Sequence, residues 1–268
     1  MKLPDVRAED PGWSLLREHD VEELWDHSIR PHVASAYAAR LELLLDVVSR
    51  LAGSGGRILD VGCAQGTLGL LLAERGHRVS LLDVRATNVE YARARHVSGD
   101  VSFYVGLLAD GTPPDADYDV VVCTEVLEHV LEPAQLLLGL ARKVRPGGAV
   151  CLTTPNADYA LSGLPSFAEA PQAVLDAAED NSLDGDAHRF LYTREELITL
   201  VRGIGLRFET HGFFIPAWLE GHAKTRHLHR LLYRLRGDIA HLPSTMPAPA
   251  RRLARHLCSS QWIVAKRI

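Results

Sequence analysis

The stretch Arg57 to Gly66, R-I-L-D-V-G-C-A-Q-G, constrains this chain more than any other. Ile58, Leu59 and Val61 read as a short strand buried on both faces, and Gly62 and Gly66 permit the positive φ angles and close backbone approach of a tight turn. A helical pattern from Thr67 to Arg75 follows at once, so its free N–H groups face whatever the turn encloses. A second apolar run, Val79 to Leu82, ends in Asp83. A carboxylate at the tip of the second strand of a nucleotide-binding α/β sheet is placed to accept hydrogen bonds from both ribose hydroxyls, so the expected ligand is an adenosine derivative.

The glycine spacing discriminates between adenosine-containing cofactors. Gly62-Cys63-Ala64-Gln65-Gly66-Thr67-Leu68-Gly69 breaks the G-x-G-x-x-G register of a dinucleotide site, and Asp60, two residues before the first glycine, suits a cationic ligand better than a diphosphate. The stretch resembles the first motif of class I S-adenosylmethionine-dependent methyltransferases, acid-x-G-x-G-x-G, with Ala64 where the second glycine stands. The alternative, an ordinary strand-turn-helix without a ligand, leaves Asp83 unexplained. The resemblance implies that Asp60, Gly62, Ala64 and Gly66 shape the methionine end of the cofactor site and that Asp83 holds the ribose. Val84 and Leu107 would flank the adenine, and Thr124 would lie near the reactive sulfur. In many relatives an acid past the third strand contacts the adenine amino group; this chain has Leu107 and Leu108 there, with Asp110 further on.

Taken in order, residues Trp13 to Leu51 read as helices, the longer one starting at Pro31, and Gly53-Ser54-Gly55-Gly56 is a joint. Strands are expected at Val101–Val105, Asp119–Cys123, Ala149–Thr153, Leu206–Phe214 and Gln261–Ala265. Helices are expected at Ala86–His96 and Leu136–Val144, with a third begun by a Thr193 cap and Glu196 three residues on. The alternation predicts an α/β fold, a doubly wound sheet. With the resemblance, the expectation becomes a seven-stranded Rossmann-like methyltransferase sheet whose last strand is antiparallel. Residues 1–52 would form a helical cover over the cleft, to which Trp25, His27, His32 and Tyr37 are candidate contributors. Residues 53–268 would form the core, with a basic helical insertion at 216–258.

A second constellation follows the fourth strand: Thr124-Glu125-Val126-Leu127-Glu128-His129. A helix begun near Glu125 would set Glu125, Glu128 and His129 on one face, at the carboxyl edge of the sheet where the ligand is expected. Crowded carboxylates and an imidazole need pairing, protonation or a cation there; the alternative is that the acids cap the helix start, with His129 ordering the loop. Together, E-V-L-E-H, T-T-P-N at Thr153–Asn156 and H-R-F-L-Y-T-R-E-E-L from His188 resemble the small-RNA 3′-terminal 2′-O-methyltransferases. That resemblance implies a divalent cation, Mg or Mn, on Glu125, Glu128, His129 and His188. The same steps are similar to small-molecule O-methyltransferases, in which His129 or His188 would act as the catalytic base without metal.

The insertion carries Lys224, Arg226, Arg230, Arg234, Arg236, Arg251, Arg252 and Arg255 with several histidines, on a helix-spaced leucine stripe. A phosphorylated or RNA substrate would explain that charge, as would a solvated basic face. The net charge of −5 exerts no general pull toward nucleic acid or anionic membrane. Four scattered cysteines without a C-x-x-C pair argue against disulfides and structural zinc. Met1 to Asp20 lacks an apolar signal region, and no uninterrupted apolar run approaches about 18 residues, so a soluble cytoplasmic protein with no membrane contact is expected. The resulting expectation is S-adenosylmethionine-dependent O-methylation of a small-molecule acceptor. The alternatives are cation-dependent methylation of an RNA 3′ end and a non-catalytic cofactor-binding module.

Overall fold

The computed structural model describes residues 1–7, 9–114, 117–170, 188, 190–216 and 254–268. Helices α1 (Pro11–Asp20) and α2 (Pro31–Ala52) are joined through a π-helical turn, Val21–Trp25. The remainder alternates: β1 (Arg57–Val61), α3 (Thr67–Glu74), β2 (Arg78–Asp83), α4 (Ala86–Arg95), β3 (Asp100–Val105), β4 (Tyr118–Thr124), α5 (Pro133–Lys143) and β5 (Val144–Pro155). The chain ends with α6 (Arg194–Gly203), β6 (Leu206–Pro216) and β7 (Cys258–Arg267).

The seven strands form one sheet in the order β3-β2-β1-β4-β5-β7-β6. The first five run parallel, and β7 lies antiparallel between β5 and β6, as the sequence led us to expect. The order reverses at β1, so the clefts at the carboxyl ends of β1, β2 and β4 are where such a sheet receives a ligand.

Strand alternation builds two cores. Ile58, Val120 and Val122 face one side, packing with Leu44 and Val48 of α2 and Leu70 of α3. Leu59, Val121 and Cys123 face the other, packing with Leu137 and Leu140 of α5 and Leu197 and Val201 of α6. The second half of α2 is thus part of the main core. Thr193 and Glu196 form the expected reciprocal cap of α6. All four cysteines are free and buried.

Several element ends shift by one to three residues, and two local features differ from the sequence reading. The Pro146-Gly147-Gly148 turn is absorbed into β5, which starts at Val144. The expected helix at Glu125 does not form: Glu125 has φ 52, and only a short 3-10 turn, Leu127–His129, precedes α5. Most of the basic insertion and much of the 157–186 segment lie outside the described residues. Arg255, which is described, is tied to Asp158 and Glu195 on the protein itself. No helix among the described residues is long and apolar enough to cross a membrane.

Candidate active site

The turn after β1 is held by its own backbone and by Asp83. The Leu82 carbonyl accepts from Gly62 and Cys63, and Gly66 N–H donates to Cys63 at 2.8 Å. Asp83 accepts from Ala64 N–H through one oxygen and from Arg85 N–H through the other, each at 2.9 Å. A carboxylate so bonded still has lone pairs free for two hydroxyls. Gly62 and Gly66 are required twice over. Both have positive φ, and an added Cβ would lie 2.4 Å from Val126 at the first and 2.8 Å from Ala92 at the second. Ala64, also at positive φ (46), accepts the conformation that a glycine takes without strain.

Asp60 sits beneath this loop, almost fully buried, with its carboxylate receiving the Gly69 N–H of α3. Burial and the neighbouring Asp83 charge push it up to about 7. The tips of β2 and β3 show the opposite pattern. Val84 and Leu107 are 42% and 46% exposed, while the sheet interior around them is closed. Uncovered apolar side chains at strand tips beside an acid are chemically suited to the faces of an adenine ring. The residues present therefore fit an adenosine cofactor.

The acid-base constellation divides in two. Thr153 and Thr154 are neighbours on β5 and point to opposite faces of the sheet. Thr153 donates to Glu125 at 2.8 Å and Thr154 to Glu128 at 3.0 Å. Glu125 is drawn to the α2 side, where Arg40 lies 3.4 Å from its other oxygen. Glu128 is buried on the α5 side, with His188 Nε2 3.7 Å from its Oε1 and the His129 and His188 rings 5.0 Å apart. Ligand atoms of Glu128, His129 and His188 lie within 4.8 Å of one another, and Glu125 is outside that group. Burial, then the Glu125 charge, holds the Glu128 carboxyl well above its usual range, and among the described residues its Oε1 has no hydrogen-bond donor. Adjacent threonines of the T-T-P-N motif thus engage the two acids separately.

The profile of a methyltransferase-domain family matches residues 33–211, the span that contains the loop, Asp83 and the Glu-His cluster. The chain belongs to the class I S-adenosylmethionine-dependent methyltransferases. This methyltransferase is similar to the ubiquinone biosynthesis O-methyltransferase of Aeromonas salmonicida, 37% identical over 134 residues, covering 48% of this chain and 52% of the relative. It is also similar to the mitochondrial ubiquinone biosynthesis O-methyltransferase of Schizosaccharomyces pombe, 35% identical over 123 residues, covering 44% of each. The matched stretch spans about half the length of these curated relatives. In three dimensions it resembles an S-adenosylmethionine-dependent methyltransferase of Mesorhizobium loti, with a TM-score of 0.58 at 17% identity over 87% of this chain and 98% of the other, a likeness of fold.

The N-terminal segment of the methyltransferase contributes residues that sequence reasoning missed. Arg40 reaches Glu125, and Glu23 accepts from the Gln65 side chain of the loop at 2.9 Å. Arg95, fully buried, pairs with Asp20 at 2.8 Å and donates to the Gln65 carbonyl and the Thr67 hydroxyl at 2.7 Å each. Of the four residues singled out there, Tyr37 does reach the loop, through Thr67, whereas Trp25 and His27 are exposed.

Proposed function

We propose that this protein transfers the methyl group of S-adenosylmethionine to a hydroxyl of a small-molecule acceptor in an intracellular, cytoplasmic setting. The observation that carries the reading is the shared edge: a loop held by Asp83 with uncovered Val84 and Leu107 on one side, and the Glu128–His188 pair on the other. The relatives named for O-methylation support the acceptor atom.

In this reading Gly62, Ala64 and Gly66 give the backbone path around the methionine end, with Asp60 supplying negative charge from beneath. Asp83 accepts the ribose hydroxyls, Val84 and Leu107 sandwich the adenine, and Thr124 closes the floor at the tip of β4. The bound cofactor supplies an electrophilic methyl group on a positively charged sulfur. The chain's remaining work is to align the acceptor and take its proton. His188, on the cleft side of Glu128, accepts the hydroxyl proton, and the Glu128 carboxylate stabilises the imidazolium formed. His129 packs against His188 and is placed to take the same role when the acceptor approaches from its side.

The donor-less Oε1 of Glu128 favours a second reading, in which Glu128, His129 and His188 hold a divalent cation that polarises the acceptor hydroxyl. One carboxylate and two imidazoles make a chemically suitable donor set. The readings separate in one experiment: labelled methyl transfer to a panel of small hydroxylated acceptors and to a short RNA with a free 3′-terminal 2′-hydroxyl, with and without chelator. Small-acceptor methylation that survives chelation is the expected result. Loss with chelator moves the proton work to a cation, and transfer to RNA alone overturns the acceptor class. No transfer to any acceptor despite tight S-adenosylhomocysteine binding points to a non-catalytic binding module.

A further inference from the structure

The cofactor of the proposed reaction carries two positive groups, a sulfonium and an ammonium, against one carboxylate, so its amino-acid end calls for an acid at the turn after β1. The acids around that turn are already engaged, with one exception. Asp83 is committed to the Ala64 and Arg85 amides, Asp60 to the Gly69 amide beneath the loop, and Glu125 to Arg40 and Thr153. Glu128 lies on the other face of the sheet with Thr154. Glu23 differs. It comes from the π-helical turn of the N-terminal segment, a helix irregularity often found at functional sites, and among the described residues its one hydrogen bond is from Gln65 of the loop. Among the described residues no cation stands within ion-pair distance of it, and Arg40 attracts it only at longer range while pairing with Glu125.

We propose that Glu23 is the carboxylate that receives the ammonium group of the cofactor's amino-acid end, so that the N-terminal segment forms one wall of the cofactor site. This rests on the methyltransferase reading above. The placement is rigid from both directions. Gln65 is gripped by Glu23 through its side chain and by Arg95 through its carbonyl, and Arg95 in turn anchors Asp20 at the end of α1. Burial leaves the Glu23 carboxyl near 7, the condition of an acid waiting for a counter-charge. An arriving ammonium supplies it.

The test is calorimetry with two probes, S-adenosylhomocysteine and its deaminated analogue, which keeps the carboxylate and lacks the amine. Glu23→Gln keeps the shape and still accepts from Gln65. It is expected to weaken S-adenosylhomocysteine about tenfold or more and to leave the deaminated analogue within about twofold, the size of a lost charge-assisted hydrogen bond. The unchanged analogue also reports that the variant is folded. Equal weakening of both probes, or of neither, overturns the assignment while leaving the cofactor reading intact. Wild-type protein that binds neither probe removes the cofactor reading itself.

Discussion

Asp83 and Glu128 stand at the same edge of the sheet and are held in opposite ways. Each Asp83 oxygen accepts one backbone N–H, so its charge is matched by the loop it organises. Glu128 is more deeply buried, has one oxygen on Thr154 and the other on no donor among the described residues, and its carboxyl is held above its ordinary range. A ligand-binding loop can be fully satisfied before its ligand arrives. A group that must exchange a proton or meet a cation is kept in a state the fold alone does not satisfy.

That contrast can be broken most sharply at Asp83. Asp83→Ala removes the acceptor of the Ala64 and Arg85 amides and, in the proposed function, of the ribose, so S-adenosylhomocysteine affinity should fall about a hundredfold or more by calorimetry. Undiminished affinity would leave Asp83 a purely structural acid. Glu128→Gln should lower turnover by about a hundredfold, within the usual range for proton-transfer groups, while raising the thermal midpoint at pH 8. The sign follows from the raised carboxyl. Ionisation costs folded-state stability as pH climbs past the usual carboxylate range, and glutamine has no charge to bury, so the gain should vanish near pH 4. A variant destabilised at pH 8 would mean that the charged form is satisfied after all.

Glu23 offers the same test with a defined window. Its carboxyl rises from 4.5 to about 7, so the wild type should lose stability between those values as pH increases. Glu23→Gln should therefore be more stable by about 1–3 kcal/mol at pH 8 and equal to wild type at pH 4 in urea titrations. The smallest effect is expected on the satisfied side. Ala64→Gly relieves a left-handed alanine and should stabilise by up to about 1 kcal/mol, a rise of a few degrees in melting temperature. A destabilising result would indicate that the alanine methyl packs usefully against its surroundings.

The loop after β1 and its acid were legible because their signals are local. Gly62, Gly66 and Asp83 are demanded by a turn and a strand tip within about two dozen residues, and the strand periods around them announce the doubly wound order. The acid-base half was only partly legible. Glu128, His129 and His188 do converge, yet the grouping with Glu125 failed because one residue at φ 52 turns the backbone before any helix can form. Glu23 and Arg40 were passed over for a different reason: their partners lie 42 and 85 positions away, and nothing in a helical pattern says which of its polar residues faces a distant loop.

What the sequence by itself determined is therefore the architecture and the glycine turn after β1, because strand alternation, glycine conformations and the Thr193 cap are properties of neighbouring residues. What only the tertiary structure decided is the allocation of charge. Adjacent threonines on β5 send Glu125 and Glu128 to opposite faces, and the N-terminal segment lays Glu23 on Gln65. The electrostatic state of a carboxylate depends on burial and on partners brought together across the fold, and those exist only once the chain has closed around them.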